Sequence, residues 1–197
     1  ANTYSGATTV TAGTLALDAG GSLAAGSRVS IGAGATFDLT APTAGSGTYT
    51  WPASLSASGT ATAATITGTS LGTVSMGIKP ISLTYDGSHP SLTVSGATLS
   101  LGGNQFTVVV PGTALGVGTY TLVSASSPIS GSVIATPLYT GGNGVASGTT
   151  GEIAISGNNV ILTVAGGSAT HTVTYNGNGN TSGTVPTDSG TYTNGAT

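Results

Sequence analysis

The chain has 197 residues, only 4% of them charged, with a net charge of −3 and no cysteine. Two cations cannot follow a phosphate backbone, so nucleic-acid binding is excluded, and without thiols there are no disulfide staples or thiolate metal sites. No run approaches the ~18 apolar residues of a spanning helix, so no membrane insertion is expected. A chain opening at Ala1 reads as a mature exported protein or a fragment. The 34 glycines and 8 prolines punctuate alternating apolar residues, which disordered chains lack. The expectation is a folded, all-β protein.

In chain order, residues 1–40 form the first unit. Leu15, Leu17, Leu23, Val29, Ile31, Phe37 and Leu39 share one parity between Gly turns, the mark of short strands with one buried and one wet face. One such unit cannot bury its apolar face alone. Residues 41–61 read as a linker around Trp51. Residues 62–165 carry roughly eight to ten short strands. Among these, Leu92, Val94, Leu99, Leu101, Phe106, Val108 and Val110 form the densest apolar stretch and the expected core. Pro80 places the strand that follows it at an edge or starts it after the proline. Asp86-Gly87 marks a turn, and EIAIS–GNN–VILTVA is a hairpin signature. Residues 166–197 hold one strand, a Gly/Asn turn and an extended stretch.

The strand spacing after residue 62 is uneven, which favours a β-sandwich body of jelly-roll or Greek-key path behind an N-terminal extended, solenoid-like segment. The alternative is a β-solenoid throughout.

The stretches NTYSGATTVTAGTLAL and GGSLAAGSRVSIGAGATFDL resemble the autotransporter-associated β-strand repeat of bacterial surface proteins. The tail HTVTYNGNGNTSGTVPTDSGTYTNGAT resembles the first part of the Listeria–Bacteroides repeat. These resemblances imply a right-handed solenoid for the repeat and an extracellular or bacterial cell-surface location, and none implies catalysis.

Candidate chemistry is sparse. The five acids are scattered, so paired-carboxylate hydrolysis has no cluster to use. His89 and His171 are 82 positions apart, no nucleophile elbow precedes a helix, and no enzyme is expected. Zinc is not expected from two distant histidines. The tract Asn176 to Asn180 could offer oxygens to calcium, but it lacks clustered carboxylates, so no metal or cofactor is expected. Trp51 is either a plug under a loop or a sugar-stacking platform, the latter implying an extracellular polysaccharide partner. Lys79 and Glu152, the sole Lys and Glu, are candidates for an isopeptide crosslink.

The leading expectation is a structural subunit of a bacterial extracellular filament, sheath or surface layer, a head-to-tail homopolymer assembled by β-strand complementation. Val10, Leu15, Leu17, Leu23, Val29 and Ile31 are its expected subunit-interface residues. The alternatives are a fragment of a long autotransporter-like adhesin passenger and a carbohydrate-binding module.

Overall fold

The computed structural model describes Tyr4 and residues 6–167, 170–179, 181–190 and 192–193. Among these residues there are strands and no helix. Short alternating runs broken by glycine make strands of mostly three or four residues. They run β1 Thr8–Val10 and β2 Thr14–Ala16, then β3 Val29–Ile31, β4 Thr36–Asp38 and β5 Thr48–Thr50. Next come β6 Leu55–Ser58, β7 Ala64–Thr67, β8 Thr73–Ser75, β9 Ile81–Thr84, β10 Leu92–Ser95 and β11 Thr98–Asn104. The path closes with β12 Phe106–Val109, β13 Gly118–Ala125, β14 Ser130–Val133, β15 Leu138–Tyr139, β16 Thr149–Ser156, β17 Asn159–Gly166, β18 Thr170–His171 and β19 Tyr192–Thr193.

From β1 to β12, each strand hydrogen-bonds to the strand one coil later. The first sheet is β1-β3-β6-β9-β12-β15 and the third β5-β8-β11-β14, both wholly parallel. The second runs β2-β4-β7-β10-β13 in parallel and then adds β17 and β16 antiparallel. Six stacked strands in the first sheet make about five turns of a three-sided β-solenoid, ~24 Å tall at the usual inter-strand spacing.

The sandwich expected for residues 62–165 is therefore not found; the solenoid alternative fits from β1 to β15. A sandwich would pair neighbouring strands antiparallel, whereas here Val29 pairs with Leu55 and Leu55 with Ile81 in parallel. Residues 41–61, read as a linker, carry β5 and β6 and lie within the coils.

Register explains the burial. Val29, Leu55, Ile81 and Phe106 stack inward on the first sheet, and Phe37, Ile66 and Val94 on the second. Tyr49, Val74 and Leu99 do so on the third, and all are buried. The alternate residues form outward columns of hydroxyls: Thr9, Ser30, Ser56, Ser82, Thr107 on one face and Thr14, Thr36, Thr65, Thr93, Ser124 on another. These columns replace the charges that the chain lacks.

Corner insertions absorb differences in coil length. At the corner between β4 and β5, Thr43 is fully buried. Its hydroxyl donates to the Leu39 carbonyl at 2.6 Å and accepts from the Thr69 N–H at 3.1 Å. That bond ties the long corner to the next coil.

Candidate functional site

The two ends of the solenoid are unlike. At the C-terminal end, the β16–β17 hairpin lies antiparallel on β13 and interrupts parallel stacking in the second sheet. Val160, Leu162 and Val164 close that part of the core. At the other end, β1 and β2 each have one sheet neighbour.

The hydrogen bonds show which groups face out. Thr8 N–H donates to the Arg28 carbonyl at 2.7 Å, and Gly32 N–H to the Val10 carbonyl at 2.8 Å. In a parallel ladder a residue's N–H and C=O point to the same side, so those of Thr9 point away from β3. In β2, Gly13 and Leu17 bond to β4 through the Thr36 N–H and the Asp38 carbonyl, at 2.8 and 3.0 Å. Thr14 and Ala16 therefore present their main chains outward. Neither strand contains a charge or a proline.

The first coil has no strand in the third sheet. Residues 17–28 fill that side through turns closed by Gly21 N–H to Asp18 O and Ser27 N–H to Ala24 O. Leu23 is drawn in, and its main chain is hydrogen-bonded to the Tyr49 hydroxyl. Burial pushes the Tyr49 phenol up to about 12, against that hydrogen bond and with a further upward push from Tyr4. The Tyr4 hydroxyl in turn meets the Thr8 hydroxyl at 2.5 Å.

Of the six expected interface residues, Val10, Leu23, Val29 and Ile31 are buried in the chain's own core. Leu15 and Leu17 are half-buried against that core and alone keep apolar surface at the edge. Trp51 is 1% exposed and packs edge-on against Phe37 and Tyr49, with ring centroids 5.6 and 5.9 Å away. It is a core plug and offers no face to a sugar.

Lys79 and Glu152 are not brought together. Lys79 lines a groove with Arg28, Pro52 and Pro80, and Glu152 lines another with Thr136 and Thr163. No cluster of three or more potential metal ligands exists among the described residues. Asn180 of the Asn/Gly tract lies outside them, as do the tail positions 191 and 194–197.

The Asp86–His89 pair went unread as a unit, although the DGSH turn carries its signal. Asp86 accepts from His89 Nδ1 at 2.7 Å and from the N–H groups of Ser88, His89 and Ala61 at 2.8, 2.8 and 3.0 Å. Partial burial would raise its pKa, but these donors outweigh it and hold the carboxyl well below the usual range. Ala61 sits in the left-handed region at φ 66, and the Asp86 bond reaches it from the next coil. No nucleophile is hydrogen-bonded to the imidazole among the described residues, and the arrangement works as a loop staple.

The fold defines a three-sheeted parallel β-solenoid segment in which, among the described residues, β1 and β2 at one end and β14 and β15 at the other have a single sheet neighbour, while the hairpin covers β13. No protein family, curated protein or solved structure matches the chain.

Proposed function

We propose that this chain is a structural element of the bacterial exterior, a rod segment that joins a further β coil through the edge strands of its first coil. Repeated between copies, that contact builds a filament, sheath or surface layer. One observation carries the reading: β1 and β2 leave a row of unpaired main-chain groups beside half-buried Leu15 and Leu17, with none of the lysines or prolines that blunt exposed edges. Added strands gain main-chain hydrogen bonds and cover those leucines.

A second reading is favoured by the hairpin at the opposite end. With β13 covered, only the edges of β14 and β15 are open there, a poorer acceptor for head-to-tail growth that favours a coil supplied by a longer adhesin-like polypeptide. The carbohydrate-binding reading loses its platform with Trp51 in the core.

Removing residues 1–20 would uncover Val29, Ile31 and Phe37, so edge-blocking substitutions make the cleaner test. Thr9→Pro and Ala16→Pro each delete an N–H that faces away from the chain's own sheets, while Pro is tolerated at sheet edges. Sedimentation velocity should show concentration-dependent association of the wild type and a monomer for the double variant. A wild type that stays monomeric at every concentration overturns self-assembly in favour of the adhesin-like reading.

A further inference from the structure

We propose that the corner between the third and first sheets carries a binding groove for an acidic polysaccharide of the polyuronate class, with Arg28 and Lys79 as its two carboxylate contacts. The chain has only two Lys or Arg residues in all, and both line one groove of about 690 Å³, with Gly26, Pro52, Ser54 and Pro80 between and around them. Neither has an ion-pair partner within 4 Å among the described residues. The five acids stand elsewhere: Asp18 on a separate groove, Asp38 in β4, Asp86 in the turn after β9, Glu152 on the hairpin and Asp188 on a groove of the tail beside Tyr175 and Val185. Attraction at this corner is therefore uncompensated, in a molecule whose net charge is negative.

The geometry sets the direction of the ligand. Arg28, Ser54 and Pro80 each immediately precede the stacked residues Val29, Leu55 and Ile81, so the groove climbs three successive coils along the solenoid axis. Arg28 and Lys79 belong to rungs two coil steps apart, ~10 Å at the usual strand spacing. A polyuronate carries a carboxylate on every ring, and its rings repeat at nearly the coil spacing, so carboxylates two rings apart can meet the two cations. The walls between them suit a sugar chain, with proline ring faces for apolar ring edges and the Ser54 hydroxyl for ring hydroxyls.

Both corners are held before any ligand arrives. The Arg28 carbonyl is fixed by the Thr8 N–H. The Lys79 carbonyl accepts from Nδ2 of the fully buried Asn104 at 2.6 Å, while Asn104 Oδ1 accepts from Gly102 N–H at 2.9 Å. A peptide is the poorer fit. The groove crosses corners and not a sheet edge, so it has no main-chain row for a peptide to extend, and a flexible chain loses more freedom on binding than a stiff one.

The test is calorimetric titration of the full chain with a purified oligogalacturonate, beside the same oligosaccharide with its carboxyls reduced to alcohols, and poly-glutamate. The uronate is expected to bind, with affinity falling as salt is raised. Arg28→Gln and Lys79→Gln should each weaken it, and the double variant by at least about tenfold. Both side chains lie outside the core, and the thermal transition of the variants should match the wild type. Absence of uronate binding, equal binding of the reduced oligosaccharide, or undiminished affinity in the double variant overturns the proposal. Tighter binding of poly-glutamate overturns the saccharide class and makes the groove a peptide site. The readout is independent of self-association, because the edge-blocked Thr9→Pro/Ala16→Pro chain keeps the groove.

Discussion

Asp86 shows how one residue of a charge-poor chain joins two coils. Its carboxylate gathers three N–H groups and an imidazole nitrogen, one of the N–H groups from Ala61 in the preceding coil. Asp38 is likewise held below its ordinary value, first by the Thr40 hydroxyl, then by the Thr40 N–H, against partial burial, with help from the Thr67 hydroxyl. For both, the folded chain binds a proton less readily than the unfolded one. Their stabilisation is complete above the ordinary carboxylate range and is lost as pH falls from about 4 towards their lower folded values. Tyr49 has the opposite sign. Its folded value of about 12 lies above the ordinary 10.0, so its stabilisation holds below pH 10.0 and drains away as pH rises towards 12. The shift corresponds to about 2–3 kcal/mol. Urea midpoints should stay flat through neutral pH and fall at both extremes. Asp86→Asn should lower the neutral plateau and shallow the acid limb, and Tyr49→Phe should shallow the alkaline limb alone.

Among elements, the hairpin was the most legible in the sequence. The alternation of EIAIS and VILTV appears as β16 and β17, with Ser156 opposite Asn159. The turn is tighter than the three residues expected, because Gly157 at φ 58 lets Gly157-Asn158 close it in two. The inward and outward residues of the opening stretch were equally readable, since a period of two survives in strands of three residues. Trp51 was less so: a lone Trp in a Pro- and Gly-rich stretch fits a plug or a platform, and what decides it is the edge-on contact with Phe37 of the neighbouring sheet, beside that with Tyr49 of its own strand segment. Glycines in the left-handed region also separate by what stacks on them, whether inside a strand as Gly131 in β14 or at a corner as Gly13. A Cβ on Gly131, at φ +94, would collide with the Leu101 carbonyl one coil below, whereas Gly13, at φ +70, has nothing within 4 Å. Gly131→Ala should cost about 3 kcal/mol, through backbone collision as well as strain. Gly13→Ala should cost only the left-handed term, about 1 kcal/mol. Thermal melts of the two variants measure the difference, and equal losses would mean that the coils separate freely at Gly131.

At the scale of the molecule, the period was hidden by the corners. Down the first sheet, the paired residues Val29, Leu55, Ile81 and Phe106 recur every 25 or 26 residues, but Thr8 and Val29 are 21 apart and Thr107 and Leu138 31 apart. In the second sheet Thr14, Thr36, Thr65, Thr93 and Ser124 are separated by 22 to 31. A spacing that is regular only in the middle coils of one face and loose elsewhere looks aperiodic along the chain, and it was this unevenness that suggested a sandwich. The same stacking explains why most of the expected interface residues are internal. A repeat buries its apolar row on the next coil, so Val29 and Ile31 meet Leu55 and Ala57 of this chain.

What remains for assembly is the imbalance between the ends, and that imbalance can be inverted. The β16–β17 hairpin covers the outer edge of β13, placing Leu162 opposite Tyr120 and Val160 opposite Val123. Ending the chain after Gly148 would remove this cover and leave β13 as a long, uncharged edge beside buried Leu122 and Val123. The shortened rod would then end all three of its parallel sheets in an unpaired strand, β13 joining β14 and β15. Head-to-tail contacts between unlike edges do not close, so they propagate. Light scattering and negative-stain microscopy should show the shortened chain forming long fibres, and Thr9→Pro/Ala16→Pro should stop their growth by blocking one of the two edges. Shortened chains that remain monomeric while keeping a β spectrum would show that the hairpin does not cap the rod. Fibres indifferent to the proline substitutions would show that growth does not use the first coil.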